Sequence, residues 1–360
     1  MPRKTWHDVA EAFALPVLAL GGALLLFGAW VWFGGHDPVQ AWSLLFLGAF
    51  GDAFSWQNTL QRAAPLMLTA LCVALPARAG LTVIGGEGAL VLGGLACAAL
   101  PVLLGVPEGR FGITLLLAAA AAAGALWIAL AGALRQYRGV NETISSLLLS
   151  YVAIAFFKHL VEGPMRDPAS LNKPSTLPLP EGLQIGTMFG YDVHWGLAFG
   201  VVTCLAAAVW LSRSTHGFAT RVVGGNARAA RLVGLPAHRL IITACALGGA
   251  APGLAGGIEV AAVHFSANAS LIAGLGYAGI LVSFVARHHP LAIIPVAILF
   301  GGFGAAGSLL QRRMGLPDAS VQVLLGFAFV LILATEAWRG RLLPFSLLPQ
   351  RAPQPAVKGA

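Results

Sequence analysis

Glu87 stands in I-G-G-E-G, a lone acid among glycines at the start of an apolar run. A charged side chain carried into the middle of a bilayer costs about 3 kcal/mol, so its presence there calls for a partner. Three uses are open to it. It can line a solute path, or hold an interrupted helix by accepting backbone N–H bonds at glycines that allow close approach. It can also sit at headgroup depth near a helix N-terminus, where the dipole favours an anion. Glu259, His264 and Asn268 form a second group near the end of another apolar run, with types suited to a solute access site, a proton site or an ordinary polar vestibule. Lys158, His159 and Glu162 close a further run, where snorkelling accounts for them. Arg287-His288-His289 reads as a turn anchor, because adjacent histidines point in different directions and make a poor metal pair. Asn141 with Glu142 reads as a helix N-cap followed by a favourable first-turn acid.

The sequence has no G-x-x-x-x-G-K-[ST], G-x-S-x-G or H-E-x-x-H. Cys72, Cys97, Cys204 and Cys245 all fall inside apolar runs without a CxxC pair and read as small core residues. Neither catalysis, a metal, a resident cofactor nor an ATP site of its own is expected of this chain.

A third kind of chemistry is available to Ser212–Leu240, the only long basic polar segment between two apolar runs. Asn226 can cap a helix over Ala227 to Val233, and Gly234 followed by Pro236 stops it. A helix of about eight residues is marginal in water and needs a surface to pack on. Arg228 and Arg231 supply charge on one face, while Ala229, Leu232 and Val233 supply apolar surface. Two readings follow: a basic loop on anionic lipid headgroups, or a docking helix for a soluble partner.

The elements that carry these residues are set by composition. Hydrophobic residues make up 58% of the chain and charged residues 10%, against about 25% charged in globular proteins, and the mean hydropathy is +0.80. The chain is therefore expected to be an all-α polytopic membrane protein, whose 360 residues hold roughly eight to eleven spans of about 20. Apolar runs at about 12–33, 63–77, 84–106, 112–134, 143–160, 194–212, 240–260, 276–287, 290–310 and 319–337 predict ten, with the short second and eighth open to being re-entrant or broken. The first is read as an uncleaved span. The formal charge of +8 comes from cations placed singly at the ends of runs, which excludes a nucleic-acid patch. An N-terminus on the cytoplasmic side leaves cations inside and outside in a ratio of about two to one.

Between the spans, His36 to Leu60 carries Trp residues and is interrupted by Gly48, Gly51 and Asp52, so it is placed along the outer face. Gly163 to Asp192 is proline-rich and reads as a stiff strap, a docking surface or a connector. Residues 1–338 form one transmembrane domain, and 339–360 a basic, Pro-rich cytoplasmic tail. Ala79-Gly80-Leu81 before Gly85 echoes Ala273-Gly274-Leu275 before Gly279. The two open from opposite sides in this topology, as an inverted repeat requires, although 45 glycines make coincidence a real competitor.

Taken together, D-P-V-Q-A-W-S-L-L-F-L-G-A-F-G from Asp37, R-A-A-P-L-M-L-T-A-L from Arg62, A-G-L-T-V-I-G-G-E-G from Ala79, R-G-V-N-E-T-I-S-S-L-L-L-S-Y from Arg138, G-P-M-R-D-P from Gly163, the stretch from Gly217 to Gly234 and the run from Gly274 to Ile280 resemble one family. It is the permease subunit of bacterial ABC importers for simple sugars and nucleosides. More narrowly, the chain resembles the branch served by basic-membrane-lipoprotein-type binding proteins, within the branched-chain amino acid permease superfamily. The resemblance implies a multi-pass protein of the bacterial inner membrane that forms the path for a nucleoside, nucleobase or simple sugar. It implies a second permease subunit, ABC ATPase subunits that bind the ATP, and an extracytoplasmic substrate-binding protein. Gly217, Arg221, Gly225, Asn226, Arg228, Arg231 and Gly234 then belong to the segment that couples to the ATPase. Glu87, Ser150, Glu259, His264 and Asn268 are expected along the substrate path. Where the family reads A-G-L-F-N-I-G-x-E-G-Q this chain has Thr82, Val83 and Ala89, and where it reads M-L-N-Y this chain has Ser150. Loss of those amides bears on the solute and leaves transport itself untouched. The rival from another class is a proton-coupled secondary transporter using Glu87, Glu259 or His264.

Overall fold

The computed structural model describes residues 6–188 and 190–337, with thirteen α-helices among them. In chain order these are α1 (Trp6–Phe33), α2 (Pro38–Phe50), α3 (Ala53–Ala77), α4 (Gly86–Leu104), α5 (Arg110–Arg138), α6 (Glu142–Glu162), α7 (Gly196–Arg213), α8 (Thr215–Gly225), α9 (Ala227–Leu232), α10 (Ala237–Ile258), α11 (Leu275–Val285), α12 (Pro290–Met314) and α13 (Ser320–Ala337). Eight are long and apolar enough to cross a membrane: α1, α3, α4, α5, α6, α7, α10 with its C-terminal extension, and α12. The expected all-α, multi-pass architecture is present. The tail expected at 339–360 lies outside the described residues.

Of the ten expected spans eight have spanning length, the runs at 276–287 and 319–337 giving the shorter apolar helices α11 and α13, and the second is corrected. The second run is a full-length helix of 25 residues, because α3 begins ten residues earlier than its apolar run. Asp52, read as an interruption, is its N-cap: the Asp52 carboxylate accepts from the Ser55 N–H at 2.6 Å. The stretch placed along the outer face is therefore divided. Its first part forms α2, thirteen residues long and too short to span, packed on α12 with Gly48 against Ala306. The eighth run is short, as its length indicated: α11 has eleven residues, preceded by irregular backbone from Phe265.

The centre of the bundle is built from α3, α4, α5, α10 and α12. Small residues let these helices approach backbone to backbone, the usual solution where lipid offers no hydrophobic drive for helix association. A methyl group at Gly253 would meet the Ala120 carbonyl of α5, and one at Gly256 the Leu90 carbonyl of α4.

The connections sort to two ends, as strict alternation requires. Arg78 at the end of α3 donates to the His288 carbonyl between α11 and α12, at 3.2 Å from Nε and 2.7 Å from Nη2. Gly80 packs on Gly224 of α8, which joins the Ser212–Leu240 segment to the same end. At the other end the proline-rich segment is a strap. Thr176, Leu179 and Ile185 N–H groups donate to the Ala267, Phe265 and Ala261 carbonyls, and the strap's own Leu179, Leu183 and Ile185 are buried. The four cysteines are free and buried.

Candidate functional site

The two Ala-Gly-Leu echoes meet. Gly80 and Gly274 both take left-handed φ, +79° and +78°, and each precedes a helix start, α4 and α11. A Cβ at either position would be strained, which gives both glycines the same physical reason. Gly276 of α11 lies so close to Gly86 and Glu87 that a methyl group there would overlap the α4 backbone. Glu87 seals the junction. One carboxylate oxygen accepts from the Gly274 N–H at 2.8 Å and the other from the Gly276 N–H at 2.6 Å. An 11-residue helix starting inside the protein leaves its first N–H groups without intrahelical partners. Glu87 supplies both acceptors and the negative charge that the helix dipole favours.

The other side of α4 is pinned to α6. The Ile84 N–H donates to Ser146 Oγ at 3.0 Å and the Gly88 N–H to Ser150 Oγ at 3.4 Å, while the Ser150 hydroxyl donates to the Ser146 carbonyl at 3.2 Å.

In front of this junction is a cavity of about 560 Å³. Its wall includes Ile84 from the α4 approach, Gly274 and Tyr277 from α11, Arg62 from α3, Gly301 from α12 and Gln322 from α13. Leu, Ile, Ala, Gly and Phe side chains make up most of the remainder, with Asp318 as the one acid. A mostly apolar hollow of this size with a few polar groups suits one small organic solute.

None of the five residues expected on the path lines this cavity. Glu87 is fully buried behind its wall with both oxygens engaged, so its place is that of a brace for α11. Ser150 is likewise buried, at the α4–α6 contact. Glu259 and His264 lie 3.8 Å apart on a π-helical turn, Glu259–His264, that extends α10 at the strap end. Asn268 caps the next turn by accepting from the Ser270 N–H at 2.9 Å, and its residue bridges to Ser175 of the strap. Sequence reasoning passed over Arg62, Tyr277, Asp318 and Gln322. Arg62 and Tyr277 fall inside two of the runs that carry the family resemblance, whereas Asp318 and Gln322 have no signal beyond their place near the last helix.

At the opposite end, Ser212–Leu240 forms two helices where one was expected. Ser214 caps α8 by accepting from the Gly217 N–H at 2.9 Å, and Gly217 packs against the Trp210 carbonyl at the tight α7–α8 corner. Gly225 ends α8 in open space. Asn226 caps α9, its Oδ1 accepting from the Arg228 and Ala229 N–H groups at 3.0 Å each. Gly234 ends α9 at φ +83°. Only Ala230 of α9 is buried. Arg228, Arg231 and Arg221 are exposed, and so are Leu232 and Val233, at 89% and 73%. The short helix thus turns charge and two apolar side chains outward.

The family described as branched-chain amino acid transport system, permease component, matches residues 55–334. The chain is 32% identical over 349 residues to the glucose ABC transporter permease protein TsgB13 of Haloferax volcanii, covering 94% of this chain and 91% of that one. It is 26% identical over 346 residues to the guanosine ABC transporter permease protein NupP of Bacillus subtilis, covering 94% and 97%. It is also 26% identical over 303 residues to the probable riboflavin import permease protein RfuC of Treponema pallidum, covering 83% and 79%.

Proposed function

The chain belongs to the branched-chain amino acid transport system permease component family and is a multi-pass ABC importer permease, and from that premise we propose that it carries a neutral, polar small molecule through the cavity in front of Glu87. The solute is a nucleoside, a nucleobase or a simple sugar. The observation that carries this reading is the cavity of about 560 Å³, whose wall is largely apolar with Arg62, Tyr277, Asp318 and Gln322 set into it. Ring faces of a base or sugar pack on such a wall, and a few hydrogen-bonding groups orient them.

Transport is driven by ATP bound to separate ABC ATPase subunits. They dock on α8 and α9, where Arg221, Arg228, Arg231, Leu232 and Val233 are all exposed. A second permease subunit and an extracytoplasmic binding protein complete the importer, in the bacterial inner membrane. The ends of the bundle carrying α8 and the strap are the cytoplasmic and outer ends respectively. The chain itself binds no cofactor.

The test is uptake into proteoliposomes holding this chain with its ATPase, second permease and binding protein. ATP-dependent accumulation of guanosine or glucose is the expected result. Accumulation driven by a proton gradient without any ATPase would instead make Glu259 and His264 the centre of a secondary carrier.

A further inference from the structure

Between the ends of α3, α7 and α8 and the start of α12 lies a second, smaller cavity of about 190 Å³. Two guanidinium groups, Arg78 and Arg221, face it together with Ser212, and its remaining wall includes Ala208, Leu211 and Leu291. No carboxylate lines it. Among the described residues, neither arginine has a carboxylate within ion-pair distance; the pairs present are Arg135–Glu142 and His264–Glu259.

Two cations converging on one hollow without an anion is an unfavourable arrangement that a bound anion relieves. Burial, and then the neighbouring Arg221, hold the Arg78 guanidinium below its ordinary value. Arg78 spends two N–H groups on the His288 carbonyl, and a guanidinium has five. Donors therefore remain for a ligand.

The surroundings define the ligand. On α7, Val202, Leu205 and Val209 form an apolar strip that is 60%, 46% and 60% exposed, and Leu291 at the start of α12 is 45% exposed. This strip runs along a membrane-spanning helix up to the cavity. A soluble anion has no use for such a surface, whereas acyl chains do.

We propose that this cavity binds the phosphate of an anionic phospholipid, with Arg78 and Arg221 on the headgroup and the acyl chains along α7. Basic pockets between spans at a cytoplasmic surface are suited to such headgroups. Because Arg221 is on α8 while Arg78 caps α3, an occupied site ties α8 to the bundle.

The experiment measures lipid binding to the full-length, delipidated protein by native mass spectrometry, comparing phosphatidylglycerol with phosphatidylcholine of the same chains. Phosphatidylglycerol should bind more tightly, by a margin lost in the variants. Arg221→Ala should weaken it about fivefold and the double variant with Arg78→Ala about thirtyfold, while Arg221→Lys keeps most of the affinity. Arg221 is exposed on α8, so its variant remains informative if Arg78→Ala disturbs folding. Arg138→Ala, an exposed cation at the same end outside the cavity, should change nothing. Equal binding of phosphatidylcholine, no effect of Arg221→Ala, or an equal loss with Arg138→Ala would each overturn the site. Inorganic phosphate that displaces phosphatidylglycerol completely at millimolar concentration would reassign it to a free anion.

Discussion

At the residue scale the decisive group is Glu87, whose two oxygens each take one backbone N–H of the α11 start. Glu87→Gln keeps the shape but turns one acceptor into a donor facing an N–H. A buried donor left facing a donor costs about 1–3 kcal/mol. The expected outcome is a variant that inserts and assembles, with uptake reduced about tenfold or more. Normal uptake by a normally assembled variant would remove Glu87 from any role in positioning the cavity wall. His194, at the strap end, gives a pH prediction. Its Nδ1 accepts from the Gly196 N–H at 3.1 Å, and its Nε2 is buried with no partner among the described residues. Burial holds this imidazole below its ordinary value of 6.5. The unfolded chain therefore takes up the proton first. The stabilisation from His194 is whole above 6.5 and is lost as the pH falls below that value, levelling off once the folded form also protonates. Melting temperature measured from pH 8 to pH 5 should fall through this window, and the His194→Phe variant should show a smaller fall.

At the element scale, α9 is six residues long and buries one of them, Ala230. A helix this short is not stable through its own hydrogen bonds. It persists here through the Asn226 cap, the Ala230 contact and the backbone bond from the Leu235 N–H to the Ala230 carbonyl at 3.0 Å. Arg228, Arg231, Leu232 and Val233 are exposed, and of the two arginine side chains only that of Arg231 has a bond among the described residues, from its Nε to the Ala227 carbonyl of its own helix at 3.3 Å, so changing them leaves insertion intact. Arg228→Glu with Arg231→Glu should lower ATPase association, measured by co-purification, and lower uptake with it. Association that survives while uptake is lost would shift the role of α9 from docking to transmission. Unchanged association and uptake would leave it a lipid-facing connector.

At the scale of the whole molecule, connections alternate between two ends, and a single labelling experiment orients them. Ser175 lies in the strap, half-buried beside Asn268. Ser175→Cys, with the four buried native cysteines unreactive to a polar reagent, should react with a membrane-impermeant maleimide in intact spheroplasts. Reaction only after permeabilisation would invert the topology, placing α8 and α9 outside, where no ATP is available to an ATPase bound there.

How much of this was readable in the chain depends on the range of the interaction concerned. Class and helix caps follow from local chemistry: apolar runs of bilayer length, and Asn141 and Asn226 poised to accept from the N–H groups two and three residues on. The family resemblance was legible for the same reason, since it rests on contiguous motifs. The start of α3 escaped because Gln57, Asn58, Gln61 and Arg62 break the apolar run without breaking the helix. The cavity was beyond reach altogether. Its wall draws on α3, α11, α12 and α13, and Gly274 meets Glu87 across 187 positions. The sequence by itself determined that Glu87 needed a partner, because a lone acid in an apolar run is too costly to leave unsatisfied. Only the tertiary structure decided that the partner is a helix N-terminus and not a solute, because the close Gly86–Gly276 approach brings the two N–H groups within its reach.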